Sequence, residues 1–255
     1  VAATPTSVVL IDGVSTTGVP SGCIHGTLWY VHHLGGTLIN GLAQDHDTDM
    51  RSLLADALAH VAEAHADTCD LSHSGTPSAT VVLIRQHQDR LDHLVLADST
   101  LLLSHDDETT VISDRREDDA ARHCRQTMDA LPNGTPEHKA ARLKFMRTMQ
   151  GYRNQPGGFW VAAANPDAAS EALTGSTPLA GLRSVAALSD GATRLVDRFD
   201  LLDWTKLLNI LATQGPHALI KQTRAAEHSD PAADRWKRGK ATDDATVAYC
   251  TAFVN

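Results

Sequence analysis

Residues 79–112 read ATVVLIRQHQDRLDHLVLADSTLLLSHDDETTVI, and this stretch decides the fold class. Four runs rich in Val, Ile, Leu and Thr, at Ala79 to Arg85, Leu91 to Ala97, Thr100 to Leu103 and Thr109 to Ile112, are separated by only a few polar residues. β-branched side chains favour extended backbone, and links this short cannot carry the crossover helix that parallel strands need. The stretch therefore predicts an antiparallel meander.

Upstream, Ser7 to Ile11 predicts a strand that ends at Asp12-Gly13. Two helices follow, Trp29 to Leu42, weakened by Gly35 and Gly36, and Met50 to His65, with Leu54, Leu58 and Val61 on one face. Downstream, helical periodicity covers Arg116 to Leu131 and Pro136 to Tyr152, the second with Pro at a favoured first-turn position. Strands at Phe159 to Ala163 and Arg183 to Leu188, helices at Trp204 to Ala212 and Pro216 to Glu227, and a strand at Ala245 to Phe253 complete the pattern. Each apolar sheet face must be buried, so the chain reads as α+β, with stacked antiparallel sheets covered by helices. No linker-like stretch or internal repeat divides it, and residues 1–255 are expected to form one domain.

Composition narrows the function. The 255 residues carry a formal net charge of -9, which disfavours a nucleic-acid binder working through phosphate neutralisation. No apolar run approaches the roughly 20 residues of a membrane span, and no signal-type segment opens the chain, so a cytoplasmic protein is expected. The four cysteines, Cys23, Cys69, Cys124 and Cys250, lie far apart without a CxxC pair, which points to neither a zinc ribbon nor a disulfide framework. The tryptophans, Trp29, Trp160, Trp204 and Trp236, read as core or interface anchors. Of the 31 acids, 25 are Asp, a residue that prefers turns, caps and metal sites to helix interiors.

Position gives that excess its meaning. Asp12 ends VVLI, Asp98 ends HLVLA, Asp190 ends SVAALS, and Asp243-Asp244 precede ATVAYCTAF. Asp at a strand end is commonly a turn former. Carboxylates from four strands converging at one edge would instead form an oxygen cluster suited to Mg²⁺ or Mn²⁺, and without a cation they would repel one another.

The ordered segments VVLIDG (8–13), SATVVLIR (78–85), VLADS (95–99), ALSDG (187–191) and DDATV (243–247) resemble the successive motifs of the metal-dependent PPM-type, or type 2C, protein phosphatases, over nearly the whole chain. The resemblance implies a four-layer αββα sandwich, two antiparallel sheets packed face to face between helices. It implies that Asp12 bridges two metals, that the Gly13 carbonyl binds the second, and that Asp190 and Asp243 complete the first. Asp98 would serve a weaker third ion, and Asp244, standing where the family often has Asn, competes with Asp243 as ligand. The chemistry implied is two-metal hydrolysis, with ions about 3.5–4 Å apart lowering the pKa of a bridging water. No GxSxG elbow, P-loop or HExxH competes with that reading.

Three departures stand out. The family places a phosphate-binding Arg and a Glu-Asp pair just before the first DG, whereas Val1 to Ile11 holds no acid or base. Either that segment lies upstream of Val1 or the second ion has lost an outer ligand. Val14-Ser15 replaces the family's His or Met before Gly-Gly, which makes His25, in GCIHGTLW, the candidate general acid. Ala97 replaces the first Gly of the GDS motif, a mild change. The basic run Arg235, Lys237, Arg238 and Lys240 precedes Asp243, and Arg238 and Lys240 are the candidates for substrate phosphate. Three readings follow: a protein Ser/Thr phosphatase, a phosphatase on a small phosphorylated molecule, or a catalytically silent regulatory module.

Overall fold

The computed structural model describes residues 1–14, 18–106 and 108–253. Two antiparallel sheets lie face to face. The first takes β1 (Ala2–Ala3), β2 (Ser7–Gly13), β3 (Ala79–His87), β4 (Arg90–Leu96) and β7 (Leu173–Pro178), in the order β1-β2-β3-β4-β7. The second takes β5 (Thr100–His105), β6 (Thr109–Ser113), β8 (Leu182–Leu188) and β9 (Val247–Thr251), in the order β6-β5-β8-β9. The helices are α1 (Thr27–Gln44), α2 (Met50–Glu63), α3 (Arg116–Cys124), α4 (Gln126–Asp129), α5 (Pro136–Gln150), α6 (Asp190–Asp197), α7 (Trp204–Gln214) and α8 (Pro216–Ser229).

The apolar runs are continuous rather than alternating because both faces of each sheet are covered, and successive side chains point to opposite faces. In β3, Val81 and Leu83 pack outward under α1 and α2, against Leu34, Leu38, Leu54 and Leu58. Val82 and Ile84 point inward, where with Leu10 and Val95 they meet Leu101, Leu103, Val185 and Ala187 of the second sheet. That sheet's outer face, Leu102, Ala186 and Leu188, is covered by Leu195 of α6, Leu207 and Leu211 of α7, and Leu219 of α8. The four-layer αββα sandwich is thus made by three apolar contacts: helices on sheet, sheet on sheet, and sheet on helices.

The meander is corrected. It is two hairpins in different sheets, β3–β4 and β5–β6, and the chain crosses between sheets at Ala97-Asp98-Ser99. Ala97 makes the crossing with φ 69°, a left-handed conformation that costs an L-residue about 1–2 kcal/mol. The replacement of the family's glycine there is therefore a strained substitution. Phe159 to Ala163 forms isolated bridges, Ala79 with Ala162 and Arg153 with Phe159, and the strand added to the first sheet is β7. The helix expected over Arg116 to Leu131 breaks at Arg125 into α3 and α4. Asp190 opens the unforeseen helix α6, capped by Ser189, two residues beyond the end of β8. Among the described residues, no helix is long and apolar enough to cross a membrane.

Candidate metal centre

Antiparallel pairing brings the Asp-bearing chain segments to one edge of the sandwich. Asp12 sits in β2 opposite Thr80, and the Thr80 hydroxyl lies 2.6 Å from that of Ser99, which ties the Asp98 crossing to the same spot. On the second sheet, the Ser189 amide donates to Thr246 O at 3.0 Å and the Thr246 amide donates to Ser189 Oγ at 3.1 Å. This clasp seats Asp190 beside Asp243 and Asp244. Gly191 permits the approach, since a methyl there would overlap the Asp244 carbonyl oxygen. Replacing Gly191 by Ala is expected to push residues 243–244 outward and to cost about 1–3 kcal/mol of stability. Urea midpoints check the cost, and Mg²⁺ titrations should show weakened binding.

The edge encloses a cavity of about 270 Å³ lined by Asp12, Gly13, Asp98, Asp190, Asp243 and Asp244, together with Glu117 and Asp118. The Asp12 carboxyl is pushed up to about 7 by burial, then by the charges of Asp190 and Asp243. Burial and then Asp243 raise Asp190, against the pull of Arg194 and Lys240. Burial raises Asp98 well above the carboxylate range, with Glu117 the foremost charge acting on it. Glu117 is raised to about 7 by burial, then by Asp190. Carboxyl groups held this way keep protons that a cation would replace.

Glu117 and Asp118 were not legible as site residues. Their place in the acidic first turn of α3 is explained equally by favourable interaction with a helix N-terminus. Asp243 has a more particular setting. Arg194 Nη2 reaches its Oδ2 at 2.8 Å and Lys240 Nζ its Oδ1 at 2.6 Å, while Arg194 Nη1 holds the fully buried Glu227 at 2.6 Å. To act as ligand, Asp243 must share with the ion an oxygen that already accepts from Arg194 or Lys240. Asp244 is exposed at the cavity mouth.

The structure corrects two candidate roles. Arg238 is a strut within its own loop: its guanidinium, 2% exposed, donates to Asp230 Oδ2 at 2.9 Å, to Trp236 O at 2.8 Å and to Ala241 O at 3.0 Å. No donor nitrogen is left for a phosphate. Lys240 faces the cavity but is paired with Asp243. His25 is not among the cavity-lining residues; its ring stacks on Trp29 at 4.3 Å and its Nδ1 lies 3.3 Å from Cys69 Sγ. Its separation from the carboxylates removes the geometric basis for a general acid. Ser15 of the Val14-Ser15 step lies outside the described residues. Among the described residues, Arg142 and Arg198 line the cavity without an ion pair.

No family model and no curated protein matches the sequence. Solved structures do match. The Ser/Thr phosphatase Stp1 from Staphylococcus aureus superimposes with a TM-score of 0.56 at 14% identity, over 98% of this chain and 84% of that one. The Ser/Thr phosphatase PstP of Mycobacterium tuberculosis gives 0.54 at 16% identity, over 96% and 88%. The chain has the type 2C phosphatase fold. The catalytic domain of PstP in complex with two manganese ions gives 0.51 at 18% identity, over 96% of this chain and 87% of that one. The type 2C fold thus recurs here at low identity, and the all-oxygen donor set of Asp12, Asp190 and Asp243 fits hard divalent ions of that kind.

Proposed function

We propose that this chain is a metal-dependent phosphomonoester hydrolase acting on phospho-Ser or phospho-Thr of proteins. The observation that carries the reading is the convergence of Asp12, Asp98, Asp190 and Asp243 in one cavity of a type 2C fold, where burial and mutual repulsion raise the Asp12 and Asp190 carboxyls. Asp12, Asp190 and Asp243 would hold Mg²⁺ or Mn²⁺, with the Gly13 carbonyl as a further donor and Asp98 serving a weaker third ion. When bound, the ions supply charge neutralisation at the phosphoryl oxygens and a lowered water pKa. The chain's own residues do the rest. Gly13 brings backbone to the cavity wall against Thr27, and Arg142, Arg198 and Lys240 present positive charge to the phosphate. The protein substrate is carried over from the phosphatases that share the fold.

A second reading, a silent regulatory module, is favoured by one observation: both oxygens of Asp243 are already engaged by Arg194 and Lys240. Turnover of p-nitrophenyl phosphate by dialysed protein, with and without added Mn²⁺, separates the two. Mn²⁺-dependent turnover is expected. No turnover at any Mn²⁺ concentration would favour the regulatory module. A panel of phosphopeptides against small phosphates then reads substrate class, with higher kcat/KM on the peptides expected.

A further inference from the structure

Away from the carboxylate cavity, two loops bring four soft ligands together. Cys23 and His25 lie between β2 and α1, and His65 and Cys69 lie just after α2. Among the described residues this is the one group of three or more His, Cys, Asp or Glu side chains whose ligand atoms all lie within 4.8 Å of one another. Sequence spacing concealed it, because the pairs are Cys-x-His and His-x-x-x-Cys with no CxxC between them.

We propose that Cys23, His25, His65 and Cys69 form a structural zinc site. Zinc bonds of about 2.3 Å to sulfur and about 2.0 Å to nitrogen place tetrahedral S···N edges at about 3.5 Å. Three of the four S···N separations are 3.7 Å for Cys23–His25, 3.5 Å for Cys23–His65 and 3.3 Å for Cys69–His25, each measured to Nδ1. The sulfurs stand 2.8 Å apart, and they would part by about an ångström to reach the S···S edge that the same bond lengths require. Two thiolates with two imidazoles is a donor set for zinc rather than for Mg²⁺ or Mn²⁺, so the site and the carboxylate centre select different ions. Four protein ligands close the coordination sphere, which marks a structural rather than catalytic ion.

The surroundings support the assignment. Trp29 covers the ligands from one side, its ring centroid 4.3 Å from that of His25 and 5.0 Å from that of His65, and His65 is buried. Among the described residues, the two loops are otherwise tied by the backbone hydrogen bond from the Asp70 amide to Gly22 O at 2.8 Å. An ion there would weld the segment leaving Asp12-Gly13 to the end of α2, and would steady Thr27, whose hydroxyl donates to Val14 O at 3.1 Å beside the cavity.

The test is a cobalt titration of the reduced, chelator-treated and dialysed protein. It should take up one Co²⁺ with thiolate-to-metal charge transfer in the near ultraviolet and the intense visible bands of a tetrahedral ion, and Zn²⁺ should displace it. Asp190→Asn should leave these bands unchanged, since cobalt at the carboxylates has no thiolate ligand; this separates the site from the phosphatase reading. Cys69→Ser should weaken the bands and lower affinity more than tenfold. Should that variant fail to fold, alkylation of the unmutated protein decides: Zn²⁺ should protect Cys23 and Cys69 and leave Cys124 and Cys250 reactive. Absence of the charge-transfer bands, unprotected Cys23 and Cys69, or a Cys23–Cys69 disulfide forming in the presence of equimolar zinc would each overturn the proposal.

Discussion

Replacing Asp190 by Asn is expected to lower Mn²⁺-dependent phosphatase turnover by about 10³-fold and, at the same time, to raise the stability of the ion-free protein near pH 7. The loss of turnover follows from removing a ligand to ions worth several kcal/mol of transition-state stabilisation, at about 1.4 kcal/mol per tenfold. The gain in stability follows from charge. Without a cation, Asp12 and Asp190 are confined together and Asp243 adds a third acid, so each raises the cost of ionising its neighbours. Asn keeps the shape and removes one charge, for a gain on the order of 1–2 kcal/mol. Steady-state kinetics and denaturant midpoints without divalent ions read the two effects. Retained turnover, or a less stable ion-free variant, would count against the carboxylate centre.

Stabilisation by Mg²⁺ is expected to grow steeply with pH. Asp12 and Glu117 have folded pKa values raised to about 7, and Asp98 and Asp190 are raised as well. In the unfolded chain such groups release their protons near pH 4. Between about pH 4 and about pH 7 the folded state therefore holds more protons than the unfolded state. Stability fully present below the lower pH is lost as pH rises through the upper one, by several kcal/mol in total. Mg²⁺ reverses the loss by taking the protons' place. His93 and His138, whose folded pKa values burial lowers, act in the opposite sense. They contribute equally with and without Mg²⁺, so the difference between the two melts cancels them. Melting temperatures at about pH 5 and about pH 8 should show a small Mg²⁺ shift at the first and a large one at the second. A shift independent of pH would mean that the ions bind elsewhere.

The strands were legible where a short apolar run was buried on both faces, as in β3 and the Val185–Leu188 part of β8. The Asp positions were legible because they interrupt those runs. What could not be read is which sheet a hairpin joins. The crossing at Ala97-Asp98-Ser99 is set by a left-handed residue whose identity, Ala, gives no hint of it. Strand β7, LTGSTP, is largely exposed and lacks the apolar signal altogether. Arg238 misled because a basic run looks the same whether it is solvated or folded back on its own carbonyls. His25 and the cysteines misled because their partners are about 40 residues away, joined by the packing of α1 on α2.

The two ends of the sandwich are under different demands. At one end, strands and crossings hand over their carboxylates, and small displacements change what the cavity can hold. At the other lie the tight turns after His87 and after Leu179, with residues 88 and 181 in left-handed conformations and no cavity-lining residue nearby. That far end is where the scaffold can be lengthened, labelled or fused to another domain with least consequence for the chemistry. The antiparallel order that gathers the acids also gives the molecule a handle.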